Sequence, residues 1–481
     1  MKNLLIVCAF LCYPHPAGFV LKSARIFCLA ALLFAGGPAF AQPQATQTQA
    51  TRTEAAQTQP AGTTPAGGWT LKRCLEHAHA NSLQLKQADL RIQESEYSRK
   101  QSLAAMFPAV NASTSIGLSR QNIRNSLNEY MSDNTFNARY NIGASMTVFN
   151  GLRQYHGLQQ QELNTRMQQL GKEEQQFQLD LDIIRACMQI AYLQENIRVL
   201  ETSLASAEAQ LQLAEHKLKA GSLAPSEHAQ FAARCSDARY QLVCGHNLLN
   251  AQLLELKQLL ELDMSDSLHL IPSTVDTALI LSPLPDRKQL CAQALQRIPA
   301  CRSRELNLRM AELDCRMARA GYFPSLTLAA SIGTGNWFDG AETFVTQLND
   351  NLNQSIGLSL NIPVFNGLQT RTAVQKALLN CQEAELERHT AEKELLVTVE
   401  GLYNDALAAQ SQYIAAKAQS EAAEAGHRLT EEQFRRGIKS AVELLISSSD
   451  CLNAAQNLLQ AKYTAALAVK LLQYYQGLPV E

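Results

Sequence analysis

The stretch Val110-Asn111-Ala112-Ser113-Thr114-Ser115-Ile116-Gly117-Leu118-Ser119 alternates apolar and small polar residues without a break. A period of two puts Val110, Ala112, Thr114, Ile116 and Leu118 on one face of an extended strand, and the residues between them on the other. Three more stretches read the same way. Tyr140, Ile142, Ala144 and Met146 oppose Arg139, Asn141, Gly143, Ser145 and Thr147; Leu326, Leu328, Ala330 and Ile332 oppose Ser325, Thr327, Ala329, Ser331 and Gly333. In the fourth, Ile356, Leu358, Leu360 and Ile362 oppose Ser355, Gly357, Ser359 and Asn361. Each is about 10 residues, the length of a tilted transmembrane strand, and the polar face is mostly small, as a water-filled lumen permits. A half-buried soluble sheet alternates in the same manner, so the decision rests on the rest of the chain.

Working outward from the strands, the chain repeats itself at a constant offset of 216 positions. Phe107-Pro108 returns as Phe323-Pro324, Ile116-Gly117 as Ile332-Gly333, and Phe149-Asn150-Gly151-Leu152 as Phe365-Asn366-Gly367-Leu368. Gly221 with Glu227 returns as Gly437 with Glu443. A spacing kept over so many positions suits a quasi-symmetric wall better than two independent domains. Four strands cannot close a barrel, and lipid does not tolerate open sheet edges, so strands of several copies must join. Three copies supply twelve strands, within the range of outer-membrane barrels. Arg120–Asn137 and Thr334–Asn351 read as long polar outer loops. Trp337, Phe338 and Phe344 in the second loop form either an interfacial aromatic belt or a packing contact.

The N-terminus reads as an export signal. Lys22 and Arg25 precede the apolar stretch 26–34, and Ala39-Phe40-Ala41 offers the small-x-small cleavage pattern. Residues 42–68 are rich in Gln, Thr, Ala, Pro and Gly without a large apolar side chain, and such a segment cannot bury enough surface to order itself. Formal net charge is −2 and basic residues are not clustered, which excludes a nucleic-acid footprint. Of 12 cysteines, those from Cys74 onward are scattered, odd in number and without a CxxC pair. They read as small hydrophobes, with one incidental disulfide as the alternative.

Between and after the strands the chain is helical. Tyr155–Lys219 contains no proline, and at about 1.5 Å per residue it extends roughly 100 Å. Ile197, Leu200, Leu204, Ala207, Leu211, Ala214 and Leu218 form a coiled-coil seam; Leu395, Val399, Leu402, Ala406, Ala409, Tyr413 and Ala416 form its counterpart. Gly221-Ser222-Leu223-Ala224-Pro225 ends one helix at a glycine and opens the next on a first-turn proline, and Gly437–Ser440 repeats the reversal. Leu242, Leu249, Leu253, Leu256 and Leu260 stripe the first return helix. The chain thus divides into a signal segment, 1–41, a flexible lead-in, 42–68, and two repeats. The first, 69–284, holds a β-hairpin at 109–149 and a helical hairpin at 152–262; the second, 285–481, holds a β-hairpin at 325–365 and a helical hairpin at 368–476.

The order and doubling of Trp69-Thr70-Leu71, Phe107-Pro108, Val148-Phe149-Asn150-Gly151, Pro363-Val364-Phe365-Asn366-Gly367 and the two hairpin glycines with their glutamates resemble the TolC-like outer-membrane efflux proteins. The resemblance covers nearly all of the chain from Trp69. It implies a mainly α fold with a transmembrane β part, in which long antiparallel coiled-coil helices form an α-barrel tunnel and four strands per chain contribute to a trimeric 12-stranded β-barrel. It also implies a location in the outer membrane of a Gram-negative bacterium, extending into the periplasm, with outer-membrane lipid, a periplasmic adaptor and an inner-membrane transporter as partners. Glu443 and Glu227 match acidic positions near the periplasmic constriction, and Lys439 a basic position whose contacts help hold the tunnel end shut. The family's second acidic position is Ile446 here, a departure that removes a double acidic ring. Three copies of Glu443 around an axis would repel one another and push their carboxyls upward; as bare sequence, a first-turn Glu complements the helix dipole. Ala220, Gly221, Ser222, Arg436, Gly437 and Ile438 are the candidate adaptor-contacting tips, and as bare sequence they are simple chain reversals.

No catalytic or cofactor motif stands out. His77 and His79 are two apart on a helix and face different directions, and no glycine-rich phosphate loop follows a strand. Two functions remain: a passive exit duct of a tripartite efflux or type I secretion system, and a non-conducting anchored coiled-coil protein. Small polar residues on the inner strand face favour the duct.

Overall fold

A computed structural model describes residues 68–124, 130–271, 277–337 and 343–478. The expected signal segment and all but the end of the lead-in lie outside the described residues. In chain order the elements are α1 (Leu71–Asn81), α2 (Leu83–Ala104), β1 (Ala109–Arg124), β2 (Tyr130–Phe149), α3 (Arg153–Lys219) and α4 (Pro225–Leu259), followed by α5 (Thr277–Ile280) and α6 (Arg287–Arg297). Then come α7 (Pro299–Arg319), β3 (Ser325–Trp337), α8 (Phe344–Asp350), β4 (Asn353–Asn361), α9 (Gln369–Arg435) and α10 (Ala441–Gln476).

The strands form one antiparallel sheet in the order β1-β2-β3-β4. Its register keeps the sequence alternation in step across all four strands. Asn111, Gly143, Ser331 and Ser355 lie in one row, and Val110, Ala144, Ala330 and Ile356 in the next. Within the polar row the hydroxyls of Ser331 and Ser355 are 2.8 Å apart. The apolar face is open: Leu118 is 76% and Ile356 78% exposed.

Arg120–Asn137, expected as a loop, is mostly strand. β1 and β2 continue in register as far as Arg124 opposite Tyr130. The segment carries no apolar alternation, and a ladder clear of an apolar environment needs none, only backbone pairing. The second expected loop also shortens. β3 runs to Trp337, and α8 folds back on it through Thr334 Oγ1 donating to the Leu348 carbonyl (2.6 Å) and the Trp337 amide donating to Gln347 Oε1 (2.7 Å). Trp337 and Phe344 are each about half exposed and Phe338 lies outside the described residues. β4 stops before Ile362 and Pro363, and proline has no N–H to extend a ladder.

α3 and α9 are 67 residues each, so both rods are about 100 Å long. Each starts on an Asn-Gly-Leu turn in which Gly151, Leu152, Gly367 and Leu368 all have positive φ. α4 returns along α3 and α10 along α9, while α2 lies on α3 and α7 packs on both rods. The expected seams are the buried faces: Ile197, Leu200, Ala207 and Ala214 on α3, and Val399, Ala406, Ala409 and Tyr413 on α9. The main core joins α3, α6, α9 and α10. A second joins Trp69, α1, α3 and α4, and the backbone of Trp69 pairs with that of Leu270. Here His79 meets a carboxylate supplied by the fold rather than by its neighbours in sequence: its Nε2 lies 2.5 Å from Asp180 Oδ1, and the Tyr474 hydroxyl donates to Asp180 Oδ2 at 2.6 Å. Among the described residues, no helix is long and apolar enough to cross a membrane.

Candidate functional site at the helical hairpin tips

The far end of each helical rod is a tight reversal built on the same backbone bonds. At the first tip Gly221 N donates to the Leu218 carbonyl and Ser222 N to the Lys217 carbonyl, both at 2.9 Å; at the second, Gly437 N reaches the Phe434 carbonyl (3.1 Å) and Ile438 N the Gln433 carbonyl (2.9 Å). Such a bond pair satisfies the last helical carbonyls and requires a left-handed residue, met here by φ of +74° at Gly221 and +75° at Gly437. Ala220 and Arg436 are the C-caps. Ser222 adds a side-chain bond from Oγ to the Lys217 carbonyl (3.1 Å). Ile438 occupies the repeat position of Ser222 and is 69% exposed.

The two glutamates then diverge. Glu443 sits in a complete capping box: its own amide donates to Ser440 Oγ (3.3 Å), while its Oε2 accepts from the Ser440 amide (3.0 Å) and hydroxyl (3.1 Å). Its other oxygen accepts a charge-assisted bond from Lys439 Nζ. The Lys439 ammonium, the Ser440 amide and the Ser440 hydroxyl, in that order, hold the Glu443 carboxyl down at about 2. Within the chain, then, Glu443 is driven in the opposite direction from the upward push expected of an unpaired acidic ring. Glu227 faces Ala224, which has no side-chain oxygen, so it makes only half of the box, accepting from the Ala224 amide at 3.3 Å. Pro225 in the first turn carries no N–H, so the helix start has one fewer unpaired donor, while the Glu227 amide that a hydroxyl at 224 would have served turns to the Ala224 carbonyl (3.1 Å).

Lys439 pairs inside its own tip and does not reach the other hairpin. That crossing is made by Lys217, a residue the sequence reading passed over. Its Nζ donates to the Phe434 carbonyl at 2.7 Å and stands 4.0 Å from the centre of the Phe434 ring. Below it, Ala214, Phe231, Phe434, Ala441 and Leu444 close a small buried cluster in which the rings of Phe231 and Phe434 are 5.7 Å apart. The available signal was weak: a basic residue in a last helical turn usually answers the helix dipole, and the repeat mate of Lys217 is the uncharged Gln433.

The comparisons agree with this architecture. The family model described as outer membrane efflux protein matches residues 74–261 and 290–477, which together are most of the chain and fall once in each half. The pyoverdine export outer membrane protein OpmQ of Pseudomonas aeruginosa is 26% identical over 322 residues, 65% of this chain and 65% of its own length. Outer membrane protein TolC of Escherichia coli (strain K12) is 28% identical over 164 residues, 33% of each chain. This chain therefore spans less than two thirds of the length of either relative. Among solved structures, the outer membrane protein VceC of Vibrio cholerae superposes with a TM-score of 0.70 at 16% identity, covering 85% of this chain and 97% of that one. Two strand hairpins on two helical rods, matched in both halves by one family model, place the chain in the outer membrane efflux protein family.

Proposed function

We propose that three copies of this chain close into one ring and serve as a passive outer-membrane exit duct for an efflux or type I secretion assembly. The observation that carries the reading is the sheet. β1 and β4 each pair on one side only among the described residues, and the apolar face beside them is exposed. Lipid permits neither an open edge nor unpaired backbone, and three four-stranded sheets joined edge to edge remove both faults. The small polar row of Asn111, Gly143, Ser331 and Ser355 then lines a lumen. The named relatives fit this use, one being described as a pyoverdine export protein.

The periplasmic end of the duct is gated at the helical tips in this reading. Glu443, Glu227 and Lys439 stand at the constriction. Ala220, Gly221, Ser222, Arg436, Gly437 and Ile438 meet a periplasmic adaptor, which with an inner-membrane transporter supplies the energy. Support comes from the open space around Gly221 and Gly437 and from the exposure of Ile438. Because each Glu443 carries its own Lys439, the ring is charge-paired and not a cation-attracting acidic collar. Conductance of the purified protein in a planar bilayer tests the duct, with Lys217→Ala expected to raise open probability by loosening the link between the tips. Absence of any pore in the wild type and in Lys217→Ala alike would leave only the anchored coiled-coil alternative.

A further inference from the structure

The strands carry few charges: Arg120 and Arg124 on β1, Asp133 and Arg139 on β2. Arg120, Arg124 and Asp133 belong to the extension of β1 and β2 beyond the row of Gly117, Asn137 and Trp337. Arg139 alone falls within the alternating part, in a row with Ser115 and Gly335. That row shares the polar face of Asn111, Gly143, Ser331 and Ser355, opposite the exposed apolar one. A Cβ on Gly335 would stand 2.8 Å from the Ala138 carbonyl oxygen and 3.5 Å from Arg139 Cγ, so the arginine stem crosses a position that only glycine can hold. Asn141 leans over β3 in the same way, its Oδ1 3.0 Å from where a Gly333 Cβ would be. The two bare glycines line a hollow of about 470 Å³ together with Arg139, Asn137, Asn141 and Trp337. Arg139 is exposed, and its guanidinium makes no hydrogen bond or ion pair among the described residues.

We propose that Arg139 is the residue by which the duct selects its cargo: three copies form a cationic collar in the lumen, near the end of the sheet remote from the helices, that binds the carboxylates of anionic solutes in passage. The proposal deepens the duct reading and rests on it. The face decides the environment, since the same charge on the apolar side would meet hydrocarbon, where strands do not tolerate it. Guanidinium groups keep their charge in proteins, and a ring of them in a pore draws anions to it. Carboxylates fit the head best, because a planar fork meets both oxygens of one carboxylate. Asn137 and Asn141, two positions to either side along β2, add neutral amide donors. The hollow opens to solvent, so the attraction is screened and an anion is concentrated without being trapped. Glu443 does not counter the collar, since Lys439 answers it within its own tip.

The test uses the purified full chain in a planar bilayer across a KCl gradient, with citrate as the probe, and the Lys217→Ala background if the wild type stays shut. The wild type is expected to reverse on the chloride side. Arg139→Gln should move the reversal potential toward zero, and Arg139→Glu should carry it to the potassium side. Arg139→Lys should keep the wild-type sign with a weaker citrate block, because an ammonium cannot fork a carboxylate. Citrate added from the outer side should reduce wild-type current, and its apparent affinity should fall about tenfold or more in Arg139→Gln, as loss of a charge-assisted bond predicts. Raising salt from about 0.1 M to about 1 M shortens the screening length from about 10 Å to about 3 Å and should bring wild type and Arg139→Gln together. If either the reversal potential or the citrate block of a conducting Arg139→Gln matches the wild type at low salt, the collar is overturned and the duct stands. A silent bilayer with every variant, Lys217→Ala included, overturns the duct and the collar with it. Should Arg139→Glu fail to accumulate, Arg139→Gln decides alone.

Discussion

Gly151 and Gly367 are repeat mates with similar backbone angles, φ of +69° and +60°, in different surroundings. A Cβ on Gly151 would stand 2.8 Å from the Ala320 carbonyl oxygen, whereas nothing lies within 4 Å of one on Gly367. Gly367→Ala therefore costs only the left-handed strain, about 1 kcal/mol. Gly151→Ala must also displace backbone, and its loss is expected at roughly 2–4 kcal/mol. Thermal unfolding of the two variants checks the difference, and equal losses would mean that Ala320 yields. Glu443 gives a pH prediction. Its folded pKa of about 2 lies below the ordinary 4.5, so its contribution is fully present above pH 4.5 and is lost as pH falls toward 2. Amide exchange at Ser440–Leu444 should accelerate across that window, and Glu443→Gln should abolish the acceleration. The same pairing predicts that the ion selectivity of the channel stays constant between pH 7 and about 5, where an unpaired acidic ring would be titrating. The sequence placed Glu443 in a first helical turn and at a hairpin glycine, which was enough to find the position. It could not show that Lys439 answers the charge from within the same tip, because rotamers decide whether a basic side chain turns inward or across.

At the scale of elements, the two tips share a backbone and differ in their caps. Ser440→Ala removes the hydroxyl that accepts the Glu443 amide and should lower stability by about 1 kcal/mol. Ala224→Ser offers Glu227 the missing partner and should raise it by up to about 1 kcal/mol, less if Pro225 already serves the turn. Local hydrogen exchange at each tip reads both changes, and a stabilising Ser440→Ala would contradict the box. Helix length, seam and reversal were legible because each is written within a few turns of chain: the apolar spacing of Ile197 to Leu218, the glycine at 221, the proline at 225. The contact of Lys217 with Phe434 was not, since its partners are 217 positions apart and are not repeat mates. The extension of β1 and β2 through Asn-rich sequence escaped for a different reason. Outside an apolar slab a strand is held by backbone bonds, and those leave no mark on side-chain alternation.

For the whole molecule, the decisive question is which medium covers each face of the sheet, and adjacent residues on β4 ask it directly. Ile356 projects from the exposed apolar face, while Ser355 lies in the polar row with its hydroxyl on Ser331. In a lipid-embedded ring, Ile356→Lys sets a charge against hydrocarbon, at a cost of about 2–4 kcal/mol near the midplane and less toward the interfaces. Ser355→Lys puts the same charge into water and forfeits one exposed hydroxyl pair, a loss of about 1 kcal/mol or less. The first should reduce the amount of oligomer recovered from outer membranes; the second should leave that amount nearly unchanged and shift conductance toward anions. The reverse ranking would invert the sheet and remove the lumen, and with it the reason for three copies. Equal tolerance of both would place the sheet in water on either side. The β-sheet then could not be the membrane part, and a ring closed edge to edge would lose its physical cause, since open edges are forbidden only where no solvent can satisfy them.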